Sequence, residues 1–137
     1  VFELHPRLAA DTLAVGRLPL CRLQLMNDAR YPWLILVPER AGLREIHQLP
    51  PAERAQLIEE ISACSQALEA VSRADKINVG ALGNLVPQLH VHVIARRAGD
   101  AAWPGPVWGQ GVAEPWDEAA RSALLAALRE RLGGLLR

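Results

Sequence analysis

"VPQLHVHVIARR", residues 86–97, is the stretch on which the reading of this chain turns. Two of the chain's four histidines, His90 and His92, stand two apart in a run otherwise dominated by Val, Ile and Leu. Apolar residues at period two mark a β-strand, predicted here over 89–95. Side chains alternate across a strand, so Leu89, Val91 and Val93 share one face while Gln88, His90 and His92 share the other. Successive members of a face stand about 7 Å apart. One face is therefore core, and the other is a row of hydrogen-bonding groups. Imidazole, with an unperturbed pKa of about 6.5, can act as nucleophile, base or cation near neutral pH. The plainer alternative is a solvated face on which the histidines have no task, and spacing alone does not separate the two.

Outward from this strand the pattern is regular. "KINVGAL" (76–82) has strand composition, and Gly83-Asn84 turns the chain toward the histidine strand. Upstream, Pro50-Pro51 marks a helix start, and Leu57, Ile58, Ile61, Cys64, Leu68 and Val71 recur at helical spacing, predicting an amphipathic helix over 51–74. "WLILVP" (33–38) is a continuous apolar run suited to a central strand. Residues 11–26 read as two strands joined by a turn near Gly16-Arg17-Leu18-Pro19. The Gly/Pro-rich stretch 99–115 carries Trp103 and Trp108 and is long for a simple connection. A final helix is predicted over 116–132, stopped by Gly133-Gly134. Strands, one helix, two more strands and a last helix predict an α+β fold with an antiparallel sheet of about five strands, as a single domain over 1–137.

Composition narrows the function classes. Fifteen basic and fifteen acidic residues cancel, so no global field draws a polynucleotide or an anionic membrane. No apolar run reaches the roughly 18–20 residues of a membrane span, and "VFELHPRLAA" lacks the basic-then-apolar pattern of an export leader. Cys21 and Cys64 fall on apolar faces with no C-x-x-C spacing, which predicts buried structural thiols and a cytoplasmic protein. His-x-His on a strand could supply two metal ligands, but His5 and His47 are not spaced to complete a site, so no metal is expected.

The segment "NVGALGNLVPQLHVHVIAR" (78–96) resembles the signature strand-turn-strand of the histidine-triad (HIT) family. Asn78 stands in the first strand, Gly83-Asn84 in the turn, and Gln88-Leu89-His90-Val91-His92 in the triad positions, with Arg96 four residues beyond. "NDARYPWLILVPER" is similar to the family's Asp-containing turn and apolar strand, and Trp103-Pro104-Gly105 to the tail of some members. The resemblance implies a small homodimeric α+β protein that binds a nucleotide, needs no cofactor, and cleaves or transfers at the α-phosphorus. In it His90 occupies the nucleophile position and His92 the third position, placed to donate a hydrogen bond to phosphoryl oxygens. Asn78 and Asn84 match family positions near the phosphate and sugar, and Asp28 is placed to accept from ribose hydroxyls. Arg96 and Arg97 either contact phosphate or form a solvated strand end. The chain departs from the family at Gln88, where the first triad position is usually histidine. It also departs at Leu85, where Ser or Thr is frequent, and at Trp33, where a further His is often found. An amide cannot gain a proton near neutrality, so a nucleotide sensor without turnover is the alternative reading.

Overall fold

Five strands form one antiparallel sheet in the computed structural model, which describes residues 1–137. They are β1 (Thr12–Arg17), β2 (Cys21–Met26), β3 (Trp33–Pro38), β4 (Lys76–Gly80) and β5 (Val91–Arg96), in spatial order β1-β2-β3-β5-β4. Three helices accompany them: α1 (Pro6–Asp11), α2 (Pro51–Ser72) and α3 (Glu118–Leu132). The α+β fold with a main and a C-terminal helix is the one the sequence predicts. No helix is long and apolar enough to cross a membrane.

The apolar runs explain why β3 and β5 sit in the middle, since both are buried along their whole length. The register aligns Leu23 with Leu36, Leu25 with Leu34, Leu34 with Val93, and Leu36 with Val91. That row meets Leu57, Cys64 and Leu68 of α2 and Leu128 of α3 in the larger core. Each such buried aliphatic side chain contributes about 1.5–3 kcal/mol. On the opposite face Trp33, Ile35 and Ile94 form a smaller core with Leu8 of α1 and Val107 of the 99–115 loop. Both faces are thus covered, one by long helices and the other by α1 and a loop.

Several differences from the sequence reading have local causes. Ile58, which the helical spacing puts on the buried stripe of α2, is exposed, while Glu60 is fully buried. The Glu60 carboxylate accepts the backbone N–H groups of Leu20 and Cys21, each at 2.9 Å, and the Gln56 amide at 2.8 Å. It therefore satisfies the β1–β2 turn from the helix side. Both cysteines are buried and free. Burial pushes the Cys64 thiol up to about 12, with Glu60 adding to it, and burial raises Cys21 likewise. α1 has no counterpart in the predicted elements. Pro6 opens it, and the His5 Nδ1 accepts the Arg7 N–H as its cap.

Candidate active site

β5 begins at Val91, not at Leu89, so residues 87–90 are irregular and strand alternation does not extend back to Gln88. Val91 and Val93 enter the larger core, and His92 projects from the other face, paired with Gly80 of β4 and Ile35 of β3. His90, just ahead of the strand, lies beside it, with ring centroids 4.9 Å apart and planes at 66°. Both rings line a cavity of about 430 Å³. Its walls are Arg7, Leu8 and Asp11 of α1, Met26, residues 82–86 of the β4–β5 connection, and Trp108.

Hydrogen bonds fix the two rings in opposite senses. The His90 Nδ1 stands 2.7 Å from the Gln88 carbonyl oxygen. A carbonyl only accepts, so Nδ1 carries the hydrogen and the neutral ring keeps its lone pair on Nε2. The Trp33 indole N–H donates to the His92 Nδ1 at 2.9 Å. An indole N–H only donates, so on His92 the lone pair is on Nδ1 and the hydrogen on Nε2. Burial, reinforced by the neighbouring His90, pushes the His92 pKa down to about 3. The cavity thus presents one unprotonated ring nitrogen beside one ring N–H.

Trp108 completes this wall. Its ring lies 5.2 Å from His92 and 6.5 Å from Trp33, edge-on to both. The loop that carries it is tied down at each end. At one end Arg96 is 1% exposed, donates through Nε to Asp100 at 2.8 Å, and lies between the rings of Tyr31 and Trp103. Asp100 also accepts the backbone N–H groups of Arg97 and Trp103. The guanidinium bond holds the Asp100 carboxyl below its ordinary range. At the other end Asp28 pairs with Arg30 at 2.8 Å and accepts the Glu114 N–H. Burial opposes ionisation of Asp28, but the Arg30 and backbone donors outweigh it and its pKa is lowered.

These bonds place the other sequence-predicted residues. Asn84 lines the histidine cavity. Asn78 accepts from Arg96 Nη1 at 2.9 Å, so these two bind each other beneath the loop. Arg97 is exposed at the end of β5, whereas Arg96 beside it is buried because Asp100 pairs with its guanidinium. Asp28 lines a neighbouring hollow of about 360 Å³ with Asn27, Arg30 and Trp33. The Gln88 side chain lies outside both. Its Oε1 accepts the His5 N–H and its Nε2 donates to the Glu3 carbonyl, each at 2.8 Å, strapping the N-terminal segment down. The sequence pattern does not bring Trp108 or the α1 residues to the site, and it marks Trp33 only as standing where the family often has a further His. No group of three or more His, Cys, Asp or Glu side chains converges as a metal set would.

Fold and cavity together define an α+β protein built around a histidine pair. The HIT domain profile matches residues 7–99. A HIT protein from Sinorhizobium meliloti is 52% identical, with a TM-score of 0.94 over 96% of this chain and 98% of that one. A histidine triad protein from Bradyrhizobium japonicum is 49% identical, with a TM-score of 0.95 and the same coverage. One from Marinobacter aquaeolei is 48% identical, with a TM-score of 0.94 over 98% of both chains. No curated protein matches the chain. The chain belongs to the histidine-triad family, a superfamily of nucleotide-binding hydrolases.

Proposed function

We propose that this protein hydrolyses or transfers at the α-phosphorus of a nucleotide conjugate, of phosphoramidate or dinucleoside polyphosphate type, through a phosphohistidine on His90. The observation that carries this reading is the bond from His90 Nδ1 to the Gln88 carbonyl, which leaves Nε2 with its lone pair in the cavity. Attack by that nitrogen on phosphorus expels the leaving group, and water then cleaves the N–P bond, so one hard displacement becomes two easier ones. The carbonyl stabilises the positive charge the ring acquires. The Nε2–H of His92 donates to the phosphoryl oxygens where negative charge builds. Asn84, in the cavity wall, is the candidate for a further contact to the ligand.

The departure at Gln88 bears on the fold more than on the chemistry, because the amide side chain binds residues 3–5 and does not line the cavity. That favours turnover over a sensor without it. Asp28, Asn78 and Arg96 act in this reading as the frame that holds the loop and Trp108 in place.

Incubation with a phosphorus-labelled adenosine 5′-phosphate conjugate, followed by a quench that avoids acid, tests the assignment. Label is expected on His90 and is expected to vanish in His90→Ala. Label that persists in the variant rejects this nucleophile, and tight binding without product assigns a sensor. We further propose one HIT-like domain in a cytoplasmic homodimer with a small nucleotide as ligand. The outer edge of β4 is unpaired, with Val79 half exposed on it and Leu82 and Leu85 exposed just beyond, which suits a second copy. Sedimentation of wild type as a dimer and of Val79→Lys as a monomer is the expected result.

A further inference from the structure

We propose that Trp33 is a positioning residue that locks His92 with its hydrogen on Nε2, so that the histidine pair has no proton to give and the site is confined to leaving groups that depart as stable anions. Phosphate, carboxylate and aryl oxide belong to that class and alkylamines do not, which narrows the substrates proposed above to the dinucleoside polyphosphate type and leaves out alkylamine phosphoramidates. The tautomer part stands on geometry alone. The leaving-group part rests on the phosphohistidine reading above.

The geometry excludes His92 as an acid from both of its nitrogens. A cationic His92 would carry a hydrogen on Nδ1 pointing at the indole N–H that now donates to it at 2.9 Å. Two donors would then face each other in a buried site. No charge nearby offsets this. β3 contributes Trp33 and Ile35 around the ring, β4 contributes Gly80, and the loop contributes Trp108, none of them charged. His90 adjoins it on its own segment, and across the cavity Asp11 and Arg7 of α1 face each other at 3.8 Å. The low His92 pKa of about 3 agrees with this picture. The remaining Nε2–H belongs to a neutral imidazole, which is a hydrogen-bond donor but far too weak an acid to protonate an amine.

The electron count then fixes the substrate class. The lone pair on His90 Nε2 forms the N–P bond, and the P–O bond to the leaving group breaks with its pair on oxygen. No proton moves in that step, and Nδ1–H stays on the Gln88 carbonyl. Water next forms the P–O bond, the N–P pair returns to Nε2, and the proton of the water passes to solvent. A departing alkylamine needs a proton as its P–N bond breaks, and the N–H that each neutral imidazole carries is too weak an acid to supply it, the one on His90 being held by the Gln88 carbonyl. General acid assistance is worth about 10²- to 10⁴-fold, and that is the discrimination expected.

Two measurements test this on the intact protein. Two-bond proton–nitrogen NMR on wild type should show His92 protonated at Nε2, with an acceptor Nδ1 that does not titrate down to about pH 5, below the ordinary imidazole value. In Trp33→Phe the ring should begin to titrate above that pH. A hydrogen on Nδ1, or ordinary titration in wild type, overturns the Trp33 assignment even if the variant fails to fold. So does an unchanged His92 in a folded variant. Adenosine 5′-phosphate esters of phenols of graded acidity are then compared with the alkylamine amide of the same nucleotide. Their kcat/KM should fall steeply with leaving-group basicity, by about 10²-fold or more to the amide. Equal turnover of ester and amide overturns the leaving-group class. No turnover of any conjugate overturns the phosphohistidine reading and that class with it, while the NMR result still decides Trp33.

Discussion

Gly80 lies so close under Trp108 that a Cβ at this position would stand 3.0 Å from the indole Cη2. The strand pairing puts Gly80 directly beside His92, so the missing side chain is what lets the indole descend onto the imidazole. Gly80→Ala therefore has to push Trp108 outward. The backbone itself is not strained at Gly80, since its φ is not positive. The expected cost is about 1–3 kcal/mol of stability from overpacking. Displacement of a wall group by about 1 Å can cost on the order of 10²-fold in rate. Tryptophan fluorescence and turnover of an adenosine 5′-phosphate aryl ester should change together. An unchanged spectrum with full activity would show that the indole does not shape the site.

Glu60 supplies a second test, on the frame instead of the site. Its carboxylate is the acceptor for two backbone N–H groups at the β1–β2 turn and is fully buried. Glu60→Leu fits the helix face but leaves Leu20 and Cys21 without partners. Each orphaned donor costs about 1–3 kcal/mol, so urea unfolding should show a loss of a few kcal/mol. Glu60→Gln retains one acceptor oxygen and should lose clearly less. Equal losses in the two variants would mean that side-chain shape, not the missing acceptor, governs this site.

The acid limb of stability follows from Asp100 and Asp28. Arg96 holds the Asp100 carboxyl below its ordinary value, and Arg30 does the same for Asp28 against the effect of burial. A carboxylate with a depressed folded pKa binds fewer protons folded than unfolded. Its contribution is therefore complete above the unfolded value of about 4 and fades as pH falls toward the folded one. Wild type should lose stability below about pH 4. Asp100→Asn should show a shallower acid slope. It should also be less stable near neutrality by about 3 kcal/mol, because Arg96 is left buried and unpaired. Thermal unfolding across pH checks both, and a variant with the acid slope of wild type would remove Asp100 from the account.

The sequence made some of this legible and hid the rest for physical reasons. Leu57, Ile61, Cys64 and Leu68 announce α2 because burial of one helix face imposes a period. Ile58 fails because that face turns slightly to bury Glu60, whose partners are backbone groups some 40 residues away. α1 is six residues with one buried side chain, too short for any period to show. His90 and His92 stand out because two imidazoles interrupt an apolar run of sequence. Trp33 does not, since within "WLILVP" an indole looks like core and its N–H reaches His92 only through the register of β3 on β5. Arg96 looks like a solvated strand end until Asp100, four residues on, is seen to neutralise it.

Gln88 offers the sharpest contrast between motif and geometry. In the motif it fills the first triad position, yet its side chain bonds to the backbone of Glu3 and His5 while only its carbonyl reaches His90. Gln88→Ala keeps that carbonyl and removes the strap. Hydrogen exchange at the His5 amide should rise, because its acceptor is gone. Turnover should change by less than about tenfold, well short of the 10²- to 10⁴-fold that a lost acid or base would cost. Gln88→His should not raise activity, because the imidazole would start outside the cavity and forfeit both strap bonds. A large gain in Gln88→His, or a collapse of turnover in Gln88→Ala with a protected His5 amide, would put the side chain in the chemistry after all.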